Sequence, residues 1–302
     1  MIHYIKRKDL DIEKYDSCIE NAIQSSIYAF SWYLDIAADH WDVLVFDDYK
    51  AVMPIPWRKK FFINYVYPPF WVLELGIFSV HQEVNIEEFL DALTSKFKFV
   101  ELRTNTKNKF NLPNKKLIKK EMQFLLLEND YKNTWNSYRK DRKKDLQKAT
   151  KNDLTEKWND IPENLIQLFK NNVGKRTPNI KEKDYDILLK LINTCLQKKV
   201  GEILSVYDKQ NRLVASGFFL KNKNKVSILV SSTDFKNRKN GANTFLIDRA
   251  IYKYQNSFEV FHFGGSSIKT VARYFLSFGA KTEEYGQIKH NELPAFIKIF
   301  KR

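Results

Sequence analysis

Cysteine is almost absent from this chain of 302 residues, which holds only Cys18 and Cys195. Two thiols make no disulfide framework, and neither stands in a metal-ligand spacing. A reducing compartment, the cytoplasm, is therefore expected. Apolar runs are short: Phe70 to Leu73 ranks with the longest, far below the ~20 residues that a spanning helix needs. The stretch Met1 to Asp16 is charged throughout and lacks the apolar segment of a secretory signal. Membrane contact, if any, is expected to be peripheral. Also missing are a Ser-His-Asp arrangement, a His/Cys metal spacing, a Walker turn and a dinucleotide fingerprint. No permanently bound cofactor is expected.

Negative charge is in short supply too. Lys and Arg number 51 against 36 Asp and Glu, a formal charge of +15. Such an excess attracts polyanions: phosphates, nucleic acid or an anionic membrane surface. The plainer alternative is a Lys- and Asn-rich surface with no partner at all. What is plentiful is apolar and aromatic. Apolar residues are 43% of the chain, enough for a packed core. The 23 Phe and 15 Tyr suit strands, where rings pack across a pleated face.

In chain order, Ile2 to Ile5 reads as a strand. A helix follows, with Asp9 as its expected cap and Tyr15 and Ile19 on its inner face. Strands are expected at Val43 to Phe46, Ala51 to Trp57 and Phe61 to Tyr67, the last ended by Pro68-Pro69. A helix over Ile86 to Leu93 and strands at Phe97 to Arg103 and Leu117 to Leu127 complete this half. Tyr131 to Lys151 reads as one helix. It has eight basic and two acidic residues, with Trp135, Tyr138, Leu146 and Ala149 on one face. Arg142 falls between Tyr138 and Leu146, so it is expected to point toward the packed side. The order then restarts: a strand at Leu154 to Trp158, helices from Pro162 and Tyr185, and strands at Glu202 to Val206, Leu213 to Leu220 and Val226 to Ser231. A helix, a strand at Phe258 to Phe263, another helix, and strands at Glu283 to Ile288 and Phe296 to Phe300 follow. Two copies of one element order set the fold.

The segment from Phe235 to Ala280 concentrates the chemistry. Arg238-Lys239-Asn240-Gly241-Ala242-Asn243 opens a helix with small residues and an arginine, a pattern that lets backbone N–H groups approach an anion. Gly264-Gly265-Ser266-Ser267 follows a short strand and precedes another helix. His262 on that strand is a candidate general base, since imidazole titrates near neutrality. Asp234, before the turn, is a candidate for orienting an amine. Each has a plain structural alternative: a basic turn, a locally hydrogen-bonded histidine and a turn-capping aspartate.

These residues resemble the GNAT acyltransferase fold, whose turn of the form Gln/Arg-x-x-Gly-x-Gly/Ala cradles the pyrophosphate of acyl-coenzyme A. Arg238, Gly241 and Ala242 match it, and Asn243 replaces a small residue. Ala272 to Ala280 resembles the helix that carries a leaving-group acid, a Tyr four residues before Gly279. That position is Phe275 here. Tyr274 is its neighbour, about 100° away on a helix, and is the catalytic candidate there. Two copies with a basic helix between them look more like the FemABX-type branch, which transfers amino acids from aminoacyl-tRNA to a peptidoglycan precursor. Phe261 to Ser266, Trp135 to Ala149 and Pro68-Pro69-Phe70 with Gly76 resemble segments of that branch. Its long coiled-coil insertion is missing.

The resemblance implies an α/β (α+β) protein of two tandem GNAT-like domains, each a mixed, mostly antiparallel sheet flanked by helices. The expected boundaries are 1–130, a basic junction helix at 131–151, and 152–302. It implies an acyl- or aminoacyltransferase whose donor is acyl-coenzyme A or aminoacyl-tRNA. The acceptor would be an amine, such as that of a cell-wall precursor, held in an interdomain cleft. Glu74, Arg139, Arg142 and Lys143 are the candidate acceptor- or anion-binding residues. The alternatives are an acetyl-coenzyme-A-dependent N-acyltransferase, and a catalytically degenerate GNAT-fold protein that binds RNA or anionic lipid.

Overall fold

The computed structural model describes residues 1–60, 62–81, 84–108, 117–265 and 268–294. Two compact units divide the chain: 1–120 with 284–302, and 121–283. In the first, β1 (Ile2–Lys6) leads through α1 (Ile12–Asn21) and α2 (Ser31–Ala37) into the antiparallel run β2 (His40–Phe46), β3 (Ala51–Lys60) and β4 (Ile63–Val66). A two-residue strand missed in the sequence, β5 (Phe78–Ser79), pairs with β3. Then come α3 (Ile86–Lys96) and β6 (Phe99–Arg103), which runs parallel to β4. Asp11, not Asp9, caps α1 by accepting from the Lys14 N–H, because α1 starts two residues later than the pattern suggested. The helix buries Tyr15, Cys18 and Ile19.

The chain then repeats this order. After β7 (Leu117–Leu126), α4 (Tyr131–Ser137) and α5 (Lys140–Lys151) precede β8 (Thr155–Trp158), α6 (Pro162–Asn171) and α7 (Glu182–Gln197). Proline at the start of α6 gives up an N–H that has no helical partner there. The antiparallel run is β9 (Gly201–Tyr207), β10 (Leu213–Asn222) and β11 (Lys225–Thr233). Next are α8 (Ala242–Tyr254), β12 (Val260–Gly265), parallel to β11, then α9 (Lys269–Leu276) and β13 (Lys281–Asn291). Each unit is thus a mixed, mostly antiparallel sheet flanked by helices. The strand expected at 296–300, Phe61, and Ser266-Ser267 lie outside the described residues.

The predicted basic helix is two helices. Tyr138 and Arg139 are extended, with ψ near 133° and 151°. Tyr138 turns inward to meet Phe278 edge-on at 5.2 Å, and the Arg139 N–H donates to the Ser277 carbonyl. Burying one aromatic ring outweighs continuing a polar helix across it. Tyr138, Leu146 and Ala149 all enter the second unit's core beside Phe219, Leu246, Phe261 and Phe278. The expected boundaries at 130 and 152 therefore fall inside this unit, and no separate junction helix is seen.

The last strand of each half serves the other unit. β7 pairs antiparallel with β12 in the second unit, and β13 pairs antiparallel with β6 in the first, from Gln287↔Arg103 to Asn291↔Phe99. Buried Thr104 adds hydrogen bonds in both directions with the Gly286 backbone. A chain ending at Ala280 should leave β6 with a free edge. Its Phe99–Arg103 amides are expected to exchange at least tenfold faster, while β9–β11 keep their protection. Unchanged exchange in β6 would refute the pairing.

Candidate functional site

The second unit's sheet forks. The parallel ladder between β11 and β12 runs from Lys225↔Val260 to Ser227↔His262 and ends there. A bulge at Leu229 in β11 shifts its register against β10 between Phe218 and Phe219. Ile228–Thr233 then continue alongside β10 alone. A parted strand pair leaves backbone N–H and C=O groups without ladder partners, and bulges are common beside active sites for this reason.

His262 stands where the ladder ends, and it is buried. Its Nδ1 accepts from the Gly264 N–H at 3.1 Å, and Nε2 lies 3.0 Å from the Met122 sulfur. With Nδ1 as acceptor, Nε2 carries the proton and faces a sulfur. Nδ1 is thus engaged by the backbone two residues along. Phe261 and Phe263 on its flanks are buried too.

The anion turn is built differently from its sequence reading. Gly241 has φ +87°, and a Cβ there would lie 2.1 Å from the Asp145 carbonyl oxygen of α5. Its missing side chain thus accommodates a neighbouring helix backbone. The Ala242 N–H already donates to Asn240 Oδ1 at 2.9 Å. Asn243 accepts from the Thr233 hydroxyl. Arg238 is exposed and lies flat against Phe235, 3.5 Å from the ring centre. Asp234 is spent on the turn, accepting from the Lys236 N–H and the Asn237 amide.

Against this turn stands a polar cluster that the sequence did not reveal as one. The Arg142 side chain is only 11% exposed. Its Nη1 donates to Thr244 Oγ1 at 2.8 Å and lies 3.0 Å from Asp145, while Nη2 pairs with Asp141 at 3.2 Å. The guanidinium also covers the Tyr274 ring at 4.5 Å. The Tyr274 and Thr244 hydroxyls are 3.2 Å apart. Burial raises the Tyr274 phenol to about 12, opposed by hydrogen bonds from Thr244 and by the Arg142 charge. The phenol therefore keeps its proton near neutral pH. Phe275, at the expected acid position, stacks on Phe263 instead. The signal for Thr244 was its place in the first turn after Gly241; Asp141 and Asp145 were visible only as charges on a basic helix.

Of the other candidates, Arg139 touches this cluster through Asp141, and Lys143 and Glu74 have other partners. Arg139 is exposed and forks onto Asp141, and Lys143 reaches the Asn136 carbonyl. In the first unit, Glu74 is buried near the Ser26 hydroxyl. That unit also carries an open groove of about 650 Å³ lined by Tyr4, Lys6, His40, Trp57 and Lys96 among others, and no predicted site residue lines it. Among the described residues no helix is long and apolar enough to cross a membrane.

No protein-family model matches the sequence, and no curated protein matches it. Solved structures do. FemX superposes with a TM-score of 0.64 at 10% identity, covering 95% of this chain and 97% of its own. The structure of L-PGS from Bacillus licheniformis gives 0.58 at 12%, covering 96% and 95%. The C-terminal domain of an Agrobacterium fabrum protein, named for lysylphosphatidylglycerol synthetase, gives 0.59 at 10%, covering 96% and 94%. At such identities the likeness establishes the fold.

Two substitutions test the architecture of the turn. Gly241→Ala combines a left-handed backbone with a collision against fixed backbone, and should cost roughly 2–4 kcal/mol in urea unfolding. Asn240→Ala removes only a capping bond and should cost roughly 1 kcal/mol. Equal, small losses for both would mean that α5 does not press on Gly241.

Proposed function

Because the chain has the GNAT-type fold in its FemX-like form, we propose that it is an acyl- or aminoacyltransferase that moves an acyl group to an amine. The observation that carries this reading is Tyr274, whose protonated hydroxyl is set at the first turn of α8 through Thr244. In the reaction the amine lone pair attacks the donor carbonyl carbon and a C–N bond forms. The carbonyl electrons move to oxygen, then return and expel the leaving group. Backbone N–H groups of the forked β11 are available to bind the oxyanion. The Tyr274 phenol supplies a proton to the departing oxygen or sulfur. It regains a proton from water, as the amine nitrogen gives up its own to water.

A donor other than coenzyme A is favoured. The turn that would receive a pyrophosphate has Gly241 against α5 and its Ala242 N–H capped by Asn240. An aminoacyl ester on RNA needs no pyrophosphate there, and a charge of +15 suits it. The acceptor is then an amine on a cell-wall precursor, as the resemblance implies. Such an acceptor suits a protein working in the cytoplasm with peripheral membrane contact.

The test pairs donors with a variant. Charged tRNA is expected to support transfer to an amine acceptor, read by mass spectrometry, with acetyl-coenzyme A giving no turnover. Tyr274→Phe should lower kcat about 100- to 1000-fold with KM little changed. Full activity in this variant would remove the phenol from the mechanism. Acetyl-coenzyme A turnover abolished by Arg238→Ala would instead favour the N-acyltransferase, and no turnover with any donor the degenerate binding protein.

The phenol also sets a pH limit. Its folded value lies above that of an exposed tyrosine, so the protonated form stabilises the fold. That contribution is complete below about pH 10 and is lost as pH rises toward about 12. Tyr274→Phe should flatten the wild-type fall in stability across this window, measured by urea unfolding at each pH.

A further inference from the structure

We propose that Arg176, Phe235 and Arg238 form a clamp for two neighbouring phosphate groups, as presented by an RNA strand or by a diphosphate. Arg176 ends the 3-10 turn Gly174–Arg176 after α6, and Phe235 and Arg238 belong to the 3-10 segment Phe235–Asn240 before α8. The guanidinium carbons lie 4.2 Å and 3.5 Å from the same ring centre. Two such groups cannot share one face at those distances, so they cover opposite faces. The ring holds them apart, with no hydrogen-bond acceptor on either guanidinium among the described residues.

Both arginines are exposed, and among the described residues neither guanidinium has a carboxylate or any hydrogen-bond acceptor. Arg103 and Arg273 also lack an ion pair among the described residues, so what sets Arg176 and Arg238 apart is the ring they share. Arg7, Arg58, Arg139, Arg142, Arg212 and Arg249 each pair with an aspartate. The aspartate nearest in sequence, Asp234, has both oxygens engaged within the turn. Exposed Lys175, Lys236 and Lys239 extend the positive field.

The two segments are also fixed to each other. Asn172 is buried at the end of α6. Its Nδ2 donates to the Leu168 carbonyl at 2.9 Å, and its Oδ1 accepts from the Phe235 N–H at 2.8 Å. The Thr177 hydroxyl holds the first turn through the Val173 carbonyl. Two like charges are thus held across one ring with nothing to neutralise them. The ring's electron-rich faces tolerate this, but the repulsion is relieved only when an anion arrives. Arginine forks suit phosphate oxygens in pairs. Because the ring spaces the forks, adjacent phosphates fit better than a single one.

This clamp deepens the donor-side reading and rests on it for the identity of the phosphate carrier. Its test is binding alone, so it can fail or succeed independently of any transfer assay. Wild type, Arg176→Ala, Arg238→Ala, the double variant and Phe235→Leu would be titrated with a short labelled single-stranded RNA, with inorganic pyrophosphate and with coenzyme A. Each arginine variant is expected to weaken binding of the preferred probe about fivefold or more. With RNA, the double variant should lower the slope of log affinity against log salt by about 1.4, the value for two single-strand phosphates. Phe235→Leu keeps both charges but loses the spacer, and should weaken binding less than the double variant does. Loss confined to RNA identifies a strand, and loss confined to pyrophosphate or coenzyme A identifies a diphosphate. A folded double variant that binds all three probes as wild type does, or a wild type that binds none, overturns the clamp.

Discussion

The second unit depends on the close approach of α5 to the start of α8. Helix backbones come this near only where a side chain is absent, and Gly241 provides that absence facing the Asp145 carbonyl. The same contact places Asp145 beside Thr244 and brings Arg142 under the first turn of α8. Tyr274 then completes the cluster from α9. A phosphate-binding turn and a helix-packing turn make the same demand on sequence, a small residue at positive φ. Here the glycine serves helix packing, its missing side chain facing the Asp145 carbonyl.

Arg142 shows what that approach costs and what offsets it. A cation this covered is stable only if its partners replace water. Asp141 and Asp145 supply charge, Thr244 an acceptor and Tyr274 a ring face. The two acidic residues of a basic helix are therefore its internal counter-ions. Losing either would leave the guanidinium with one carboxylate, and the less exposed Asp145 should matter more than Asp141. The same network gives the Tyr274 ring a cation over its face and its hydroxyl a neighbour in Thr244.

Strands, their order and the restart at Leu154 were legible because alternation and turn residues are local signals. Arg142's inward register was legible for the same reason. Three features were not. The helix break at Tyr138–Arg139 depends on Phe278, which lies far along the chain. The exchange of β7 and β13 conserves every local pattern and changes only the partner, so no periodicity can report it. The helical angle separating Tyr274 from Phe275 was legible, but the partner of each ring was not. Phe263 takes Phe275 as its stacking partner, and this turns the phenol toward Thr244.

Net charge does not show which cations are already paired. Arg139, Arg142 and Lys143 were the expected anion-binding residues of the basic helix, yet each has a partner within the second unit. Arg238 was legible as an anion-binding candidate from its turn, whereas Arg176, in a separate short turn, was not. What distinguishes them is the lack of an acidic neighbour together with a shared aromatic support. A charge already matched inside the protein offers a ligand little, since binding must first break the existing pair. An unmatched pair held in place by a buried asparagine has lost its freedom on folding, so an incoming phosphate need not order it. Among the described residues, Arg176 and Arg238 are two unpaired cations whose geometry folding fixes through a shared ring.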